Sequence, residues 1–136
     1  MKYTLITGAS QGMGLLMAKK CATLKRNVLL ISLPNENLSN IAIEISNEFQ
    51  VSCHYFEIDL TLNDSAKKIF NWVKENNFLV DFLINNAGFG GFGPFESYSS
   101  EYIENMLDLN VKATTKMTHL FIPELKKNAP SFILNN

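Results

Sequence analysis

The feature that most constrains this chain is where three of its glycines fall. Gly8, Gly12 and Gly14 lie in the stretch Thr7-Gly8-Ala9-Ser10-Gln11-Gly12-Met13-Gly14, directly behind the apolar run Tyr3 to Ile6. A short apolar run of that kind reads as a buried first strand. The helical pattern that begins at Met13 makes the glycines the turn between that strand and a helix. Such a turn aims the free N–H groups and the positive dipole end of the helix at whatever occupies the crevice. Glycine also lets the backbone turn tightly and lets a pyrophosphate approach without meeting a Cβ. The stretch therefore predicts a dinucleotide site ahead of Leu15.

Spacing narrows the prediction. The pattern is G-x-x-x-G-x-G, not the G-x-G-x-x-G of the commonest dinucleotide fingerprint. Leu15 and Leu16 stand where a P-loop carries its lysine and its magnesium-binding hydroxyl, so a nucleoside-triphosphate site is excluded. Taken alone, the stretch also fits a tight turn packed against a sheet.

At 136 residues the chain is long enough for one domain with a real core and too short for two. Apolar residues make up 46%, charged residues 18%, and the net charge is −1, which argues for a globular chain and against disorder. With Lys and Arg nearly balanced by Asp and Glu and no basic run longer than two, nothing points to nucleic acid. The apolar segments are too short to span a membrane, and the start, Met1-Lys2-Tyr3-Thr4, has no secretory core. Cys21 and Cys53 stand apart from each other, and His54 and His119 have no partners at metal-ligand or triad spacing. Reduced buried thiols, structural histidines and a cytoplasmic location are expected.

Strand-like and helix-like segments alternate. Strands are predicted over Tyr3 to Thr7, Asn27 to Ser32, Val51 to Ile58, Val80 to Ile84 and Ser131 to Leu134. Between them, Met13, Leu16, Met17, Cys21 and Leu24 are expected on one side of a first helix, and Leu38, Ile41, Ala42, Ile45 and Phe49 give a second. Thr61-Leu62-Asn63-Asp64 reads as the N-cap of a third helix, with Ala66, Ile69, Phe70 and Val73 as its buried stripe. A loop rich in glycine and phenylalanine, Gly88 to Phe95, leads into one long helix. Its apolar side would be Ile103, Met106, Leu107, Val111, Met117, Leu120 and Phe121. Five strands with four helical connections predict an α/β fold, a doubly wound parallel sheet of Rossmann-like type, truncated after the fifth strand.

Four features then fall at strand ends or on the long helix: the glycine turn, Asp59-Leu60, Asn85-Asn86-Ala87-Gly88, and Asn110. In motif, order and spacing they resemble the short-chain dehydrogenase/reductase family from residue 3 onward, though only the N-terminal part of a usual family domain. The resemblance implies one NAD(P)-binding domain over 1–136, incomplete at its C-terminus. It implies that Gly8, Ser10, Gln11, Gly12, Met13 and Gly14 hold the pyrophosphate and neighbouring ribose. Asp59 would accept from the adenine amino group with the Leu60 backbone beside it, and Asn86, Ala87 and Gly88 would line the adenosine side. Asn110, as a catalytic residue, would bend the long helix and hold a water of the proton relay. No metal is implied. Singly, Asp59 also fits a charge before a helix, Asn85 and Asn86 fit turn formers, and Asn110 fits a polar surface position.

The choice between NAD and NADP stays open. An acidic residue at the end of the second strand would bind the ribose hydroxyls of NAD. Here the strand ends in Ser32-Leu33-Pro34-Asn35, Glu36 comes slightly late, and no basic group stands there or in the turn. The missing carboxylate leans the reading weakly to NADP. Phe89, Phe92 and Phe95 are candidates for a substrate wall or for packing on the long helix.

The resemblance breaks at catalysis. No Tyr-x-x-x-Lys occurs, since Tyr3, Tyr55, Tyr98 and Tyr102 are followed four residues later by Thr7, Asp59, Tyr102 and Met106. The reading is an NAD(P)-dependent oxidoreductase fragment that holds the dinucleotide site but lacks the family's Ser and Tyr-x-x-x-Lys. Its complete enzyme would act on a small-molecule carbonyl or alcohol, with homo-oligomer contacts through the long helix. A non-catalytic nucleotide-binding module and an inactive truncated gene product are the alternatives.

Overall fold

A computed structural model describes residues 1–136. Five strands, β1 (Lys2–Thr7), β2 (Asn27–Ser32), β3 (Cys53–Glu57), β4 (Leu79–Asn85) and β5 (Phe132–Asn135), form one parallel sheet in the order β3-β2-β1-β4-β5. The helices are α1 (Gly12–Thr23), α2 (Leu38–Phe49), α3 (Ser65–Glu75), α4 (Ser100–Leu107) and α5 (Thr114–Lys127). The order reverses at β1: the chain runs outward through β2 and β3, then returns to the other side of β1 as β4. A switch point of that kind opens a crevice beyond the C-terminal ends of β1 and β4.

Alternation along the strands explains why both faces are covered. Leu5, Leu29, Ile31 and Leu83 pack with Ile69, Val73, Met117 and Phe121 of α3 and α5 on one face. Ile6, Val28, Leu30 and Ile84 pack with Ala18, Ala22, Leu38 and Ile45 of α1 and α2 on the other. Each large apolar side chain buried this way contributes about 1.5–3 kcal/mol. The continuous apolar strands are thus apolar because neither face meets water.

Four local expectations are corrected. Helix α1 does not use Met13, Leu16 and Leu24 as its core side; these are exposed, and Gly14, Ala18, Cys21 and Ala22 are buried instead. Small residues let the helix axis lie close to the sheet, which a stripe of leucines would prevent. The third strand is shorter than Val51 to Ile58, with buried Val51 and Ile58 flanking it. Helix α3 starts at Ser65 rather than Thr61. Asp59 Oδ1 accepts from Thr61 N at 2.8 Å and Thr61 Oγ1 at 2.7 Å, a local turn that competes with helix and delays it.

The long helix is interrupted by a π-helical stretch, Asp108–Ala113, between α4 and α5. The wider turn shifts the phase of the apolar stripe. Ala113, Met117, Phe121 and Leu125 are buried beyond it, whereas Leu107 and Val111 are turned to solvent.

At the β3 edge, His54 packs against Phe78 with ring centres 4.7 Å apart. Cys53 is a free thiol whose pKa burial pushes up to about 12. Burial also raises that of Cys21, the main cause of its shift. At the opposite edge Phe132, Ile133 and Leu134 of β5 are all exposed. An apolar strand with one unpaired side is a template for association. Sedimentation velocity on the 136-residue chain should show concentration-dependent association. A single monomeric boundary across the concentration range would contradict this.

Candidate functional site

The crevice at the switch point is a cleft of about 760 Å³ lined by 18 residues from the C-terminal ends of the strands and the segments that follow them. Gly8, Ser10, Gln11 and Met13 contribute from the glycine turn, Asp59 and Leu60 from beyond β3, and Asn86, Ala87 and Gly88 from beyond β4. The sequence-expected residues are therefore brought together, with three exceptions in how they act. Gly12, Gly14 and Asn110 do not line the cleft; Gly14 and Asn110 act on the segments that do.

Gly14 does so by what it lacks. A Cβ there would lie 2.0 Å from the Gly8 carbonyl oxygen and 2.5 Å from Asn86 Nδ2. The first turn of α1 is pressed that closely onto the end of β1. Gly8 has φ +65°, a left-handed conformation, and a Cβ on it would lie 2.9 Å from Ala87 Cα. Both positions need glycine, one for closeness and one also for the turn. The N-cap residue Gln11 makes no side-chain cap and no acidic residue occupies the first turn of α1. Its leading N–H groups and dipole are therefore left for an anionic ligand at the glycine turn.

Asn86 ties the two sides of the crevice. Its Nδ2 donates to Thr7 O at 3.0 Å and to Gly8 O at 3.2 Å. In return Thr7 Oγ1 accepts from the backbone N–H groups of Asn86 and Ala87, each at 3.0 Å. Thr7 is a site residue the sequence reading leaves out, although it stands first in the glycine motif. A buried threonine at the end of a strand, one residue before a glycine turn, was the available signal. Asn85 points the other way, donating from Nδ2 to Thr118 Oγ1 at 3.0 Å and Asn135 Oδ1 at 2.9 Å.

Asn110 sits within the π-helical stretch and clamps the loop after β4. Its Nδ2 donates to Phe89 O at 2.7 Å and its Oδ1 accepts from Phe89 N at 3.0 Å. That two-bond match fixes where the loop leaves Gly88. Phe89 lines the cleft and meets Tyr102 edge-on with ring centres 5.4 Å apart. Phe92 and Phe95 are exposed and line no part of it. Glu36 was read as standing slightly late after β2, yet it too lines the cleft.

The glycine turn and the Asn86 tie thus set the open N-terminus of α1 at the switch-point cleft. The family model described as short chain dehydrogenase matches residues 2–135. The chain belongs to that family. Among curated proteins, the short-chain dehydrogenase chain is 28% identical to the 3-oxoacyl-[acyl-carrier-protein] reductase FabG of Aquifex aeolicus over 134 residues. That match covers 98% of this chain and 54% of the relative. An alcohol dehydrogenase from the archaeon Thermococcus sibiricus, complexed with 5-hydroxy-NADP, superposes with a TM-score of 0.92 at 29% identity. It is covered to 57%, against 99% of this chain. A short-chain dehydrogenase from Sphingobium yanoikuyae in complex with NADPH gives a TM-score of 0.89 at 27% identity, covering 99% of this chain and 53% of that one. The chain spans about half the length of these relatives.

Proposed function

We propose that residues 1–136 are the dinucleotide-binding part of an NAD(P)-dependent oxidoreductase that reduces a small-molecule carbonyl or oxidises a secondary alcohol. The observation that carries this is the uncapped N-terminus of α1, held at the switch-point cleft by a turn that only glycine fits. When bound, the nicotinamide would supply or accept the pair of electrons. The residues of this chain bind and orient it.

Gly8, Ser10, Gln11, Gly12, Met13 and Gly14 form the pyrophosphate and ribose cradle, chiefly through backbone N–H groups. Asp59 faces the cleft with its turn bonds made through Oδ1, which leaves Oδ2 for the adenine amino group, with Leu60 alongside. Asn86, Ala87 and Gly88 form the adenosine wall, held by Thr7. Asn110 keeps the loop in place and is proposed as the helix residue of the proton relay. Exposed Leu107, Val111 and Ile122 on the long helix are the surface proposed for homo-oligomer contacts. No helix is long and apolar enough to cross a membrane, and a cytoplasmic location is proposed. The lean towards NADP draws support from the NADPH-bound and 5-hydroxy-NADP-bound neighbours.

The chain by itself is proposed to bind without turning over, because its 136 residues contain no Tyr-x-x-x-Lys to move the proton. Calorimetric titration with NAD⁺ and NADP⁺ should show saturable binding. An absorbance assay with reduced cofactor and a panel of ketones should show no oxidation above the protein-free rate. Turnover would remove the claim of inactivity, and absence of binding would remove the dinucleotide reading itself.

A further inference from the structure

A second groove lies away from the cleft, at the outer edge of β3. It has a volume of about 390 Å³ and is lined from α2, from β3 and from the end of α3 and the residues after it. None of its lining residues lines the dinucleotide cleft, and none is Asp, Glu, Lys or Arg. One wall is a set of rings in mutual contact. The Phe78 ring centre lies 4.7 Å from that of His54 and 5.3 Å from that of Trp72, with Tyr3 behind it at 4.9 Å. Rings locked against one another hold an apolar surface in place before any ligand arrives.

Two polar groups of the groove have a fixed sense. Tyr3 is buried and its hydroxyl has one partner, Ser52 Oγ at 3.2 Å. Ser52 Oγ in turn lies 2.9 Å from His54 Nε2. A buried phenol must place its proton, so Tyr3 donates to Ser52 and Ser52 donates to His54 Nε2. Partial burial holds the pKa of His54 below its usual value, so the ring is neutral near neutral pH. In a neutral ring whose Nε2 accepts, the proton sits on Nδ1. His54 therefore brings one N–H donor to the groove. Asn76 brings the opposite: its Nδ2 donates to Trp72 O at 2.8 Å, which fixes the carboxamide and leaves Oδ1 as an acceptor. Neither His54 Nδ1 nor Asn76 Oδ1 makes a hydrogen bond within the chain.

We propose that this groove is a second binding site, which takes a small neutral aromatic molecule carrying an amide. The ligand ring packs on Trp72 and Phe78, its amide oxygen accepts from His54 Nδ1–H, and its amide N–H donates to Asn76 Oδ1. The uncharged lining sets the ligand's charge, because an anion or a cation would lose water there and meet no counter-charge. The volume, near the lower bound for ligand pockets, sets its size. The site shares no residue with the cleft, so it stands or falls apart from the dinucleotide reading.

The test is a nuclear magnetic resonance titration of the isotope-labelled chain with acetanilide. Trp72 is the single tryptophan, so its indole N–H signal reports on the groove without ambiguity. That signal and those of the His54 ring should shift saturably, with a Kd on the order of 1 mM. Phenylacetate and benzylammonium, similar in size and opposite in charge, should bind about tenfold more weakly or worse. His54→Phe keeps a ring and removes the donor, and Asn76→Ala removes the acceptor at an exposed position. Each should weaken acetanilide by about threefold to tenfold, with circular dichroism confirming the fold. No saturable shift at Trp72, or shifts confined to cleft residues such as Gly8 and Asn86, overturns the site. Equal binding of the charged analogues overturns the ligand class, and unchanged affinity in both folded variants overturns the donor and acceptor.

Discussion

Gly14→Ala should weaken dinucleotide binding more than about tenfold. The added methyl would sit 2.0 Å from the Gly8 carbonyl oxygen and 2.8 Å from its carbonyl carbon, both rigid backbone atoms. The collision can be relieved only by lifting the first turn of α1 off β1, which carries the leading N–H groups away from the crevice. Asn86 Nδ2, 2.5 Å from the same point, would be displaced with it and lose its hold on Thr7 and Gly8. Overpacking of this kind costs about 1–3 kcal/mol of stability. Affinity should fall more than tenfold, or more than about 1.4 kcal/mol. Thermal unfolding and calorimetric titration read the two effects separately. Unimpaired binding in the alanine variant would show that α1 is not held where the structure has it.

Arg26→Met should destabilise the fold while sparing ligand binding. Asp81 on β4 is buried, its side chain 6% exposed, and it is paired with Arg26 and more distantly with Lys2 at 3.7 Å. Arg26 Nε also donates to Thr4 Oγ1 at 2.7 Å, so one guanidinium joins β1 and β4 near the strand starts. Methionine keeps the apolar stem and leaves the Asp81 carboxylate with only the distant lysine. Stranding a buried charge costs about 3–5 kcal/mol, and Lys2 offsets part of it, so a loss of about 2–4 kcal/mol is expected. Because the cluster lies at the end of the sheet away from the cleft, affinity measured well below the melting temperature should stay within about twofold of the original. A large affinity loss would mean that the two ends of the sheet are coupled.

How much of this was legible beforehand follows from what each signal depends on. The strands were readable because β1, β2 and β4 are apolar on both faces, and the glycine turn was readable because its constraint lies within eight consecutive residues. The core side of α1 was misread because the most hydrophobic residues were assumed to be the buried ones. Close approach to the sheet selects for size instead, so Ala18 and Ala22 displaced Leu16 and Leu24. The start of α3 was missed because Asp59 and Thr61 form a turn whose strength depends on side-chain geometry. The π-helical stretch leaves no periodicity signature over six residues. Glu36 reaches the cleft despite its late position because Asn35 and Asn37, left-handed with φ of +68° and +59°, bend the loop after β2. The position of Thr7 is a local signal but its task is not, since its partners lie beyond β4.

The face of α1 made of Gly14, Ala18 and Ala22 has a practical consequence for mapping this protein. Replacing side chains by alanine one at a time finds positions where a group contributes by being there. Along this face the contribution is vacancy: two of the residues are already alanine, and at the third alanine is an addition. An alanine scan would pass over Ala18 and Ala22 and register the seating of the helix at Gly14 alone. The informative scan runs in the other direction, adding one methyl or two at each place, and its profile would trace the depth to which the helix is seated.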